Sequence, residues 1–219
     1  MNYRSFLRES MKKNEKEAKE LLQRERQKQI DEIIQNSGIP MRFRGKTFEN
    51  YNPDDNPIAY KKAKHFAESF PDVDKGLLLV GTVGTGKTHL AAAISNMLIN
   101  KLYSVYFGNA TDIMSFIKST YSKDAKITEG EAINLMTEDI NLLVIDDLGK
   151  ENETSNTLAV LYQIVNRLYE NEKPVIITTN YNSIDLARKL GERGQAIVSR
   201  ITGMCKPIQF KGEDWRLKE

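Results

Sequence analysis

Short apolar runs alternate with amphipathic stretches along most of the chain from residue 76 onwards. The runs are rich in leucine and β-branched residues, and they predict strands at residues 77–80, 104–107, 142–145, 175–179 and 208–210. Apolar residues at helical spacing lie between the runs, as at Leu90, Ile94, Met97 and Leu98. Apolar strands that alternate with helices are typical of a parallel sheet covered on both faces. We therefore expect an α/β fold with a five-stranded parallel sheet flanked by helices.

The N-terminal part of the chain has a different pattern. Residues 8–35 contain no proline or glycine and are rich in Glu, Lys, Arg and Gln, which favours a helix. Its apolar residues are sparse, and the stretch ends at Gly38 and Pro40. We predict a helical arm over residues 1–40 and one main domain over residues 41–219. A short helix with Asn56 as its N-cap and Pro57 at its first position should open that domain.

Composition narrows the class of protein. No run of 18 apolar residues occurs, and the N-terminus lacks the apolar core of a secretory signal, so we expect a cytoplasmic protein without membrane contact. One cysteine and two histidines exclude an intramolecular disulfide and a Cys/His zinc module. Residues 1–46 hold 12 basic and 7 acidic residues in a chain of net charge +2. This basic arm indicates either an interaction segment or a solvated helix with excess lysine.

A phosphate-binding motif follows the first predicted strand and precedes a predicted helix. The eight residues Gly81, Thr82, Val83, Gly84, Thr85, Gly86, Lys87 and Thr88 fit G-x-x-x-x-G-K-[ST]. Glycines let consecutive backbone N–H groups curl around phosphate, and the helix N-terminus adds its positive dipole end. Lys87 is expected to reach the β- and γ-phosphates, and the Thr88 hydroxyl is expected to bind magnesium.

Polar side chains end two of the later predicted strands. Asp146 and Asp147 follow an apolar strand, where ligands bind in open α/β sheets. Asp146 is placed to hold magnesium, and Asp147 to polarise an attacking water. Asn180 follows the fourth strand, where its amide could orient that water. Arg193 and Arg200 lie in a late helical stretch, and either could be an arginine finger or a surface ion-pair partner.

The ordered set GTVGTGKT, LLVIDDLGKE, PVIITTN and GERGQAIVSRI resembles the AAA+ ATPases of the DnaC/DnaI helicase-loader group. The upstream segment IPMRFRGKTFENY and the closing IQFKGEDWR are also similar to that group, so the resemblance covers residues 38–216. It implies an AAA+ P-loop fold with an N-terminal helical arm and without a C-terminal lid domain. It also implies binding of ATP and Mg²⁺, and ATP hydrolysis.

The resemblance assigns roles to individual residues. Asp146 and Asp147 resemble the Walker B pair, although many relatives carry glutamate at the second position. Asn180 resembles sensor 1, and Arg200 resembles an arginine finger that acts on a neighbouring subunit in an ATP-bridged assembly. Phe43 resembles an adenine-side contact. The insertion over residues 111–138 resembles an element that faces single-stranded DNA, with Phe116, Lys118 and Tyr121 as contacts; packing of Phe116 in the core is the alternative.

The leading hypothesis is an ATP-dependent loader that binds a DnaB-type replicative helicase through residues 1–40 and places it on single-stranded DNA. The alternative within the same fold is an IstB-like helper ATPase in transposition. A GTPase switch fits less well, because no N-K-x-D motif follows the D-x-x-G of residues 146–149. A small-molecule kinase is disfavoured by the tandem aspartates and by the absence of an evident lid.

Overall fold

The computed structural model describes residues 3–122, 124–150 and 154–215, with side chains of the first helix described at residue 14 and from residue 16 onwards. Five strands form one sheet: β1 Gly76–Gly81, β2 Val105–Asn109, β3 Leu142–Asp146, β4 Val175–Thr179 and β5 Cys205–Phe210. The helices are α1 Tyr3–Asn36, α2 Met41–Arg44, α3 Pro57–Ser69, α4 Lys87–Asn100, α5 Ala110–Ser119, α6 Glu129–Asn134, α7 Ser155–Glu170, α8 Ser183–Lys189 and α9 Gly194–Met204. Short 3-10 turns lie at Pro53–Asp55 and Gly191–Arg193, and a π-helical turn over Leu135–Asp139 extends α6.

The sheet is parallel throughout and has the strand order β2-β3-β4-β1-β5. This confirms the predicted five-stranded α/β fold. The carboxyl ends of all five strands lie at one edge of the sheet, where the loops with the candidate chemistry also lie. β4 separates β1 from β3, so the phosphate-loop strand and the aspartate strand are not neighbours in the sheet.

The alternation of side chains along the strands divides the core into two layers. Leu77 and Leu79 of β1 pack with α3, α4 and the end of α1, whereas Leu78 and Val80 pack with α5 to α9. Both layers are apolar, which explains why the strands are continuous apolar runs rather than alternating ones.

β5 begins three residues earlier than its sequence pattern predicts, and it contains Pro207. Proline has no N–H to donate to a sheet ladder and is tolerated at an edge. β5 pairs only with β1 among the described strands, so Pro207 occupies an edge position where a missing donor costs little.

The last part of the predicted N-terminal arm packs on the main domain. The side chains of residues 16–29 are exposed, but Ile30 is buried in the layer beside α4, and Ile33 and Ile34 pack against it. Ser37 O accepts a hydrogen bond from Phe107 N at 2.7 Å, and Ile39 is buried. Residues 30–40 therefore pack on the main domain, because a stripe too thin for a core of its own is sufficient to dock on α4.

Asn56 has a different role from the one its position predicts. Helix α3 does begin at Pro57, but the Asn56 side chain makes no capping hydrogen bond to it. Instead it accepts from Lys211 N at 2.9 Å and donates to Lys211 O at 3.1 Å. Asn56 has the sequence position of a helix cap, but its side chain instead connects distant parts of the chain.

No helix within the described parts of the chain has the length and apolar character that a membrane-spanning segment needs. This agrees with the absence of a long apolar run in the sequence.

Replacing Ile30 should test where the arm ends. Ile30 is 8% exposed and Leu22 is 71% exposed on the same helix. Ile30→Ala should lower the free energy of unfolding by about 2 kcal/mol, because it removes buried methyl groups at a helix interface. Leu22→Ala is the matched control and should have no effect. Urea denaturation measures both; equal stability of the two variants would mean that the whole arm is detached from the domain.

Candidate functional site

The phosphate loop connects β1 to α4 and curls around the Lys87 ammonium. Gly84 and Gly86 have φ angles of +75° and +92°, in the left-handed region that favours glycine. Lys87 is 4% exposed, and its Nζ donates to Gly81 O and Thr82 O, at 2.7 Å each. The loop therefore holds a buried positive charge beside the N-terminus of α4, which is the electrostatic environment that a phosphate group requires.

Asp146 lies at the carboxyl end of β3 and joins two threonines. Its Oδ1 accepts from Thr88 Oγ1 at 3.0 Å and from Thr178 Oγ1 at 2.7 Å. Burial raises the pKa of Asp146 above its ordinary value, and these two hydrogen bonds act in the opposite direction. Carboxylate and hydroxyl oxygens are the ligands that Mg²⁺ prefers, so Thr88 and Asp146 fit an ion bound together with phosphates.

Thr178 is a site residue that the sequence analysis missed. It belongs to β4, the strand that lies between β1 and β3. Its hydroxyl donates to Asp146 and accepts from Asp147 N at 2.8 Å, so it fixes both aspartates. The signal in the sequence is a pair of threonines at the end of an apolar strand.

Asp147 has a φ of +52° and follows β3 directly. This backbone conformation is uncommon for a residue with a side chain, although aspartate tolerates it better than most. Its carboxylate accepts from Lys150 Nζ at 3.1 Å and lines the same cleft as Asn180. The structure thus brings the two predicted polar residues to one cleft; their catalytic roles remain predictions.

Phe43 lies in α2 and also lines the cleft, and its ring packs 6.4 Å from that of Phe107. Asn96 of α4 holds the segment in place by donating to Phe43 O at 3.0 Å and to Lys46 O at 2.8 Å. The guanidinium of Arg42 lies 5.0 Å from the Phe43 ring centroid. This wall therefore offers an aromatic ring and two basic side chains, of which the sequence analysis had identified only the ring.

His89 follows the phosphate loop and was not identified from the sequence. Its Nε2 lies 3.1 Å from Thr47 O and 2.9 Å from Asn50 Oδ1. Both partners are acceptors, so Nε2 carries the proton. Burial lowers the pKa of His89, which keeps the ring neutral at pH 7. The neutral imidazole acts as a brace between α4 and the segment that follows Phe43.

These parts together line one cleft of about 400 Å³ at the carboxyl edge of the sheet. The lining residues are Arg42, Phe43, Lys46, Val83, Gly84, Thr85, Gly86, Lys87, Thr88, His89, Asp146, Asp147, Lys150, Asn180 and Trp215. The cleft combines a phosphate loop, two carboxylates, an amide and two aromatic rings. Its volume and its mixture of apolar and convergent polar groups are those of a small-molecule site.

Arg193 and Arg200 lie outside this cleft. Arg200 donates to Asn166 Oδ1 at 2.7 Å and to Tyr162 Oη at 3.0 Å, and Arg193 lies 5.7 Å from the Tyr162 ring centroid. Neither arginine can therefore act on the cleft of its own chain in this conformation. An arginine finger acts on the cleft of a neighbouring chain and does not need to reach its own. The role of either arginine as a finger therefore stays a prediction.

The three predicted DNA contacts differ in exposure. Phe116 is half-buried, and its ring lies 5.9 Å from the ring of Tyr106. Lys118 is exposed on α5, and Tyr121 is exposed just after it, with its hydroxyl donating to Glu129 at 2.8 Å. The structure has the Phe116 ring packed against the core, the alternative that the sequence left open. Lys118 and Tyr121 lie at the surface.

The fold and the cleft define the class of protein, a P-loop ATP-binding protein of the AAA+ type. The family of IstB-like ATP binding proteins matches residues 9–219. Because this match covers nearly the whole sequence, the chain belongs to that family.

The chain is also similar to individual proteins and to a solved structure. YdaV of Escherichia coli (strain K12) is 31% identical over 209 residues, covering 94% of this chain and 82% of YdaV. The replicative helicase loader DnaC of the same organism is 33% identical over 175 residues, 78% of this chain and 71% of DnaC. A crystal structure of the DnaC helicase loader superimposes with a TM-score of 0.67 at 28% identity, covering 78% of this chain and all of that one (100%).

Replacing Thr178 should test its link to the two aspartates. Thr178→Val keeps the shape of the side chain but leaves Asp146 Oδ1 and Asp147 N without this partner. We expect the free energy of unfolding to fall by about 2 kcal/mol, the cost of leaving buried polar groups unpaired. Thr178→Ser keeps the hydroxyl and should retain most of the stability. Denaturant titration compares the variants, and a fully stable Thr178→Val would show that the hydroxyl does not hold the aspartates.

Proposed function

We propose that this protein is a Mg²⁺-dependent ATPase that loads a DnaB-type replicative helicase onto single-stranded DNA. The observation that carries the ATPase half is the contact of Thr88 with Asp146 beside the buried Lys87. It joins the start of α4 to the end of β3 across an intervening strand, where a phosphate-bound cation would be held. The helicase half rests on the likeness to a protein named replicative helicase loader.

Each residue of the cleft has its own proposed role in ATP binding and hydrolysis. The backbone N–H groups of residues 81–88 and the Lys87 ammonium bind phosphate oxygens, and Thr88 and Asp146 hold the cation. Bound Mg²⁺ would neutralise the negative charge that develops on the phosphates. Asp147 polarises the attacking water and accepts its proton, and Asn180 orients that water. Phe43 packs on the adenine side of the nucleotide.

Arg200 completes this site in an assembly. Its guanidinium is held by Asn166 and Tyr162 away from its own cleft. In an ATP-bridged contact between copies of the chain, it would meet the γ-phosphate of the neighbour and stabilise the charge of the transition state. Arg193, close to the same tyrosine, is the second candidate.

The exposed part of α1 is the proposed helicase-binding segment. Leu21 is 59% exposed and Leu22 is 71% exposed, and the surrounding residues 16–28 include five basic and three acidic side chains. Two adjacent apolar side chains in water gain burial only when a partner covers them. The basic residues would steer the arm toward an acidic partner surface, so association should weaken with salt.

Single-stranded DNA is proposed to contact Lys118 and Tyr121, which pair a cation with an aromatic surface. Lys118 lies in the last turn of α5 and Tyr121 just after it, on the side of the sheet opposite to α3 and α4. Phe116 is left out of this proposal because its ring packs on Tyr106.

A second candidate function is that of an IstB-like helper ATPase in transposition. The observation that favours it is the family match, which extends from residue 9 and so includes most of the arm. The same cleft would then drive assembly on duplex DNA, and the arm would bind a transposase.

The exposed leucines give the direct test of the partner. We expect the double variant Leu21→Asp/Leu22→Asp to lose at least tenfold in affinity for a purified DnaB-type helicase, because a charge replaces each apolar contact. Ile58→Asp is the matched control, since Ile58 is 69% exposed but lies on the main domain. Fluorescence anisotropy with labelled helicase measures the affinity.

Two results would oppose the helicase-loader assignment. Full-affinity capture of the helicase by the double variant would place the partner site on the main domain. Binding of the parent protein to a transposase, with none to the helicase, would favour the second candidate.

Arg200 is tested by mixing two inactive variants. Arg200→Ala should bind ATP as the parent does but hydrolyse it at least tenfold more slowly, because the finger acts only in the transition state. Lys87→Ala retains Arg200 but lacks a functional cleft. Mixing the two should restore part of the steady-state ATPase rate, since some interfaces then pair an intact cleft with an intact finger.

A mixture no more active than its components would show that Arg200 is not the finger. Arg193→Ala in the same assay then tests the second candidate.

A further inference from the structure

The chain turns back over the phosphate loop after β5 ends at Phe210. Gly212 O accepts a hydrogen bond from Thr82 Oγ1 at 3.4 Å, and Trp215 N donates to Gly84 O at 3.2 Å. The two contacts attach residues 211–215, which we call the C-terminal strap, to the loop. The strap therefore packs directly against the loop.

The strap approaches Gly84 so closely that no side chain fits there. A Cβ at Gly84 would lie 1.8 Å from Asp214 Oδ1 and 2.7 Å from Asp214 Cα. The second of these atoms belongs to the backbone and cannot rotate away. Gly84 is thus required by the packing of the strap in addition to its φ of +75°.

A buried amide fixes the start of the strap to the same loop. Asn56 forms hydrogen bonds with both the N–H and the carbonyl of Lys211, at 2.9 and 3.1 Å, and its amide also donates to Thr85 O at 3.4 Å. Asn56 is 8% exposed, so these bonds are shielded from water. The strap is therefore held at its first residue, at Gly212 and at Trp215.

This anchoring places Trp215 in the wall of the nucleotide cleft, on the side of Val83 and Gly84. Trp215 is 45% exposed, which is a large exposed area for so large an aromatic residue. The loop N–H groups and Lys87 are the proposed phosphate ligands, so an aromatic ring in this wall suits the base or the ribose. Flat aromatic surfaces bind nucleobases by stacking.

We propose that the strap completes the nucleotide cleft and that Trp215 contacts the base–ribose part of the bound nucleotide. The proposal rests on the proposed binding of ATP, and it adds a residue outside the motifs from which that binding is argued. Phe43 and Trp215 both line the cleft, so segments from distant parts of the chain supply its two aromatic rings.

The sequence contains one tryptophan, so its fluorescence reports on Trp215 alone. Titration of the full chain with Mg²⁺ and a non-hydrolysable ATP analogue should change the emission with saturation. Trp215→Ala should weaken binding of the analogue by about tenfold, measured by calorimetry, because a stacking surface is lost. Trp215→Phe keeps an aromatic face and should lose much less.

A variant whose single tryptophan lies at a different position provides the control. Tyr169 lies at the end of α7, just before β4 begins, and therefore at the amino edge of the sheet, away from the cleft. In the double variant Trp215→Phe/Tyr169→Trp, the analogue should bind without changing the emission. Thermal unfolding of each variant confirms that the fold is intact.

The outcomes separate this inference from the function on which it rests. If calorimetry shows binding by the parent while the emission stays constant, or if Trp215→Ala binds with full affinity, the contact is overturned and the ATP site stands. If the parent does not bind the analogue at all, the proposed ATP site and the inference are both overturned.

Discussion

The fixed geometry of parallel strands is the constraint on which the rest of the structure depends. All five strands end at one edge, so the loops after β1, β3 and β4 are brought together regardless of their distance in sequence. Because β4 lies between the other two, Asp146 reaches Thr88 only with Thr178 beside it. A buried hydroxyl on the central strand thus connects the phosphate-loop helix to the aspartate strand, and a positively charged loop faces a carboxylate across the cleft.

The parts of the site that the sequence predicts are those that local patterns determine. The phosphate loop is a run of consecutive residues, and Asp146, Asp147 and Asn180 end apolar strands, so their spacing and context identify them. The strands themselves follow from apolar runs, with errors of at most three residues at their ends, as at Cys205. The sparse apolar residues of α1 can also be seen in the sequence. Whether they pack on the domain depends on the surface of α4, which the pattern of α1 does not contain.

The parts that the sequence does not predict depend on contacts between distant segments. Asn56 has the position of a helix cap, yet it bonds to Lys211, 155 positions away along the chain. His89 braces a loop 39 residues upstream, and Thr178 serves two aspartates on another strand. Each is a common polar residue whose partner is fixed only when the chain has folded, so its role leaves no local periodicity to detect.

The most direct test of the central claim, that this cleft binds Mg²⁺–ATP through the phosphate loop, is titration of a fluorescent ATP analogue against the parent and Lys87→Ala. The parent should bind with saturation, and the variant should lose nearly all binding, because the buried ammonium that neutralises phosphate is gone. Unfolding curves should show that the variant is still folded. Equal affinity of a folded Lys87→Ala and the parent would contradict the account.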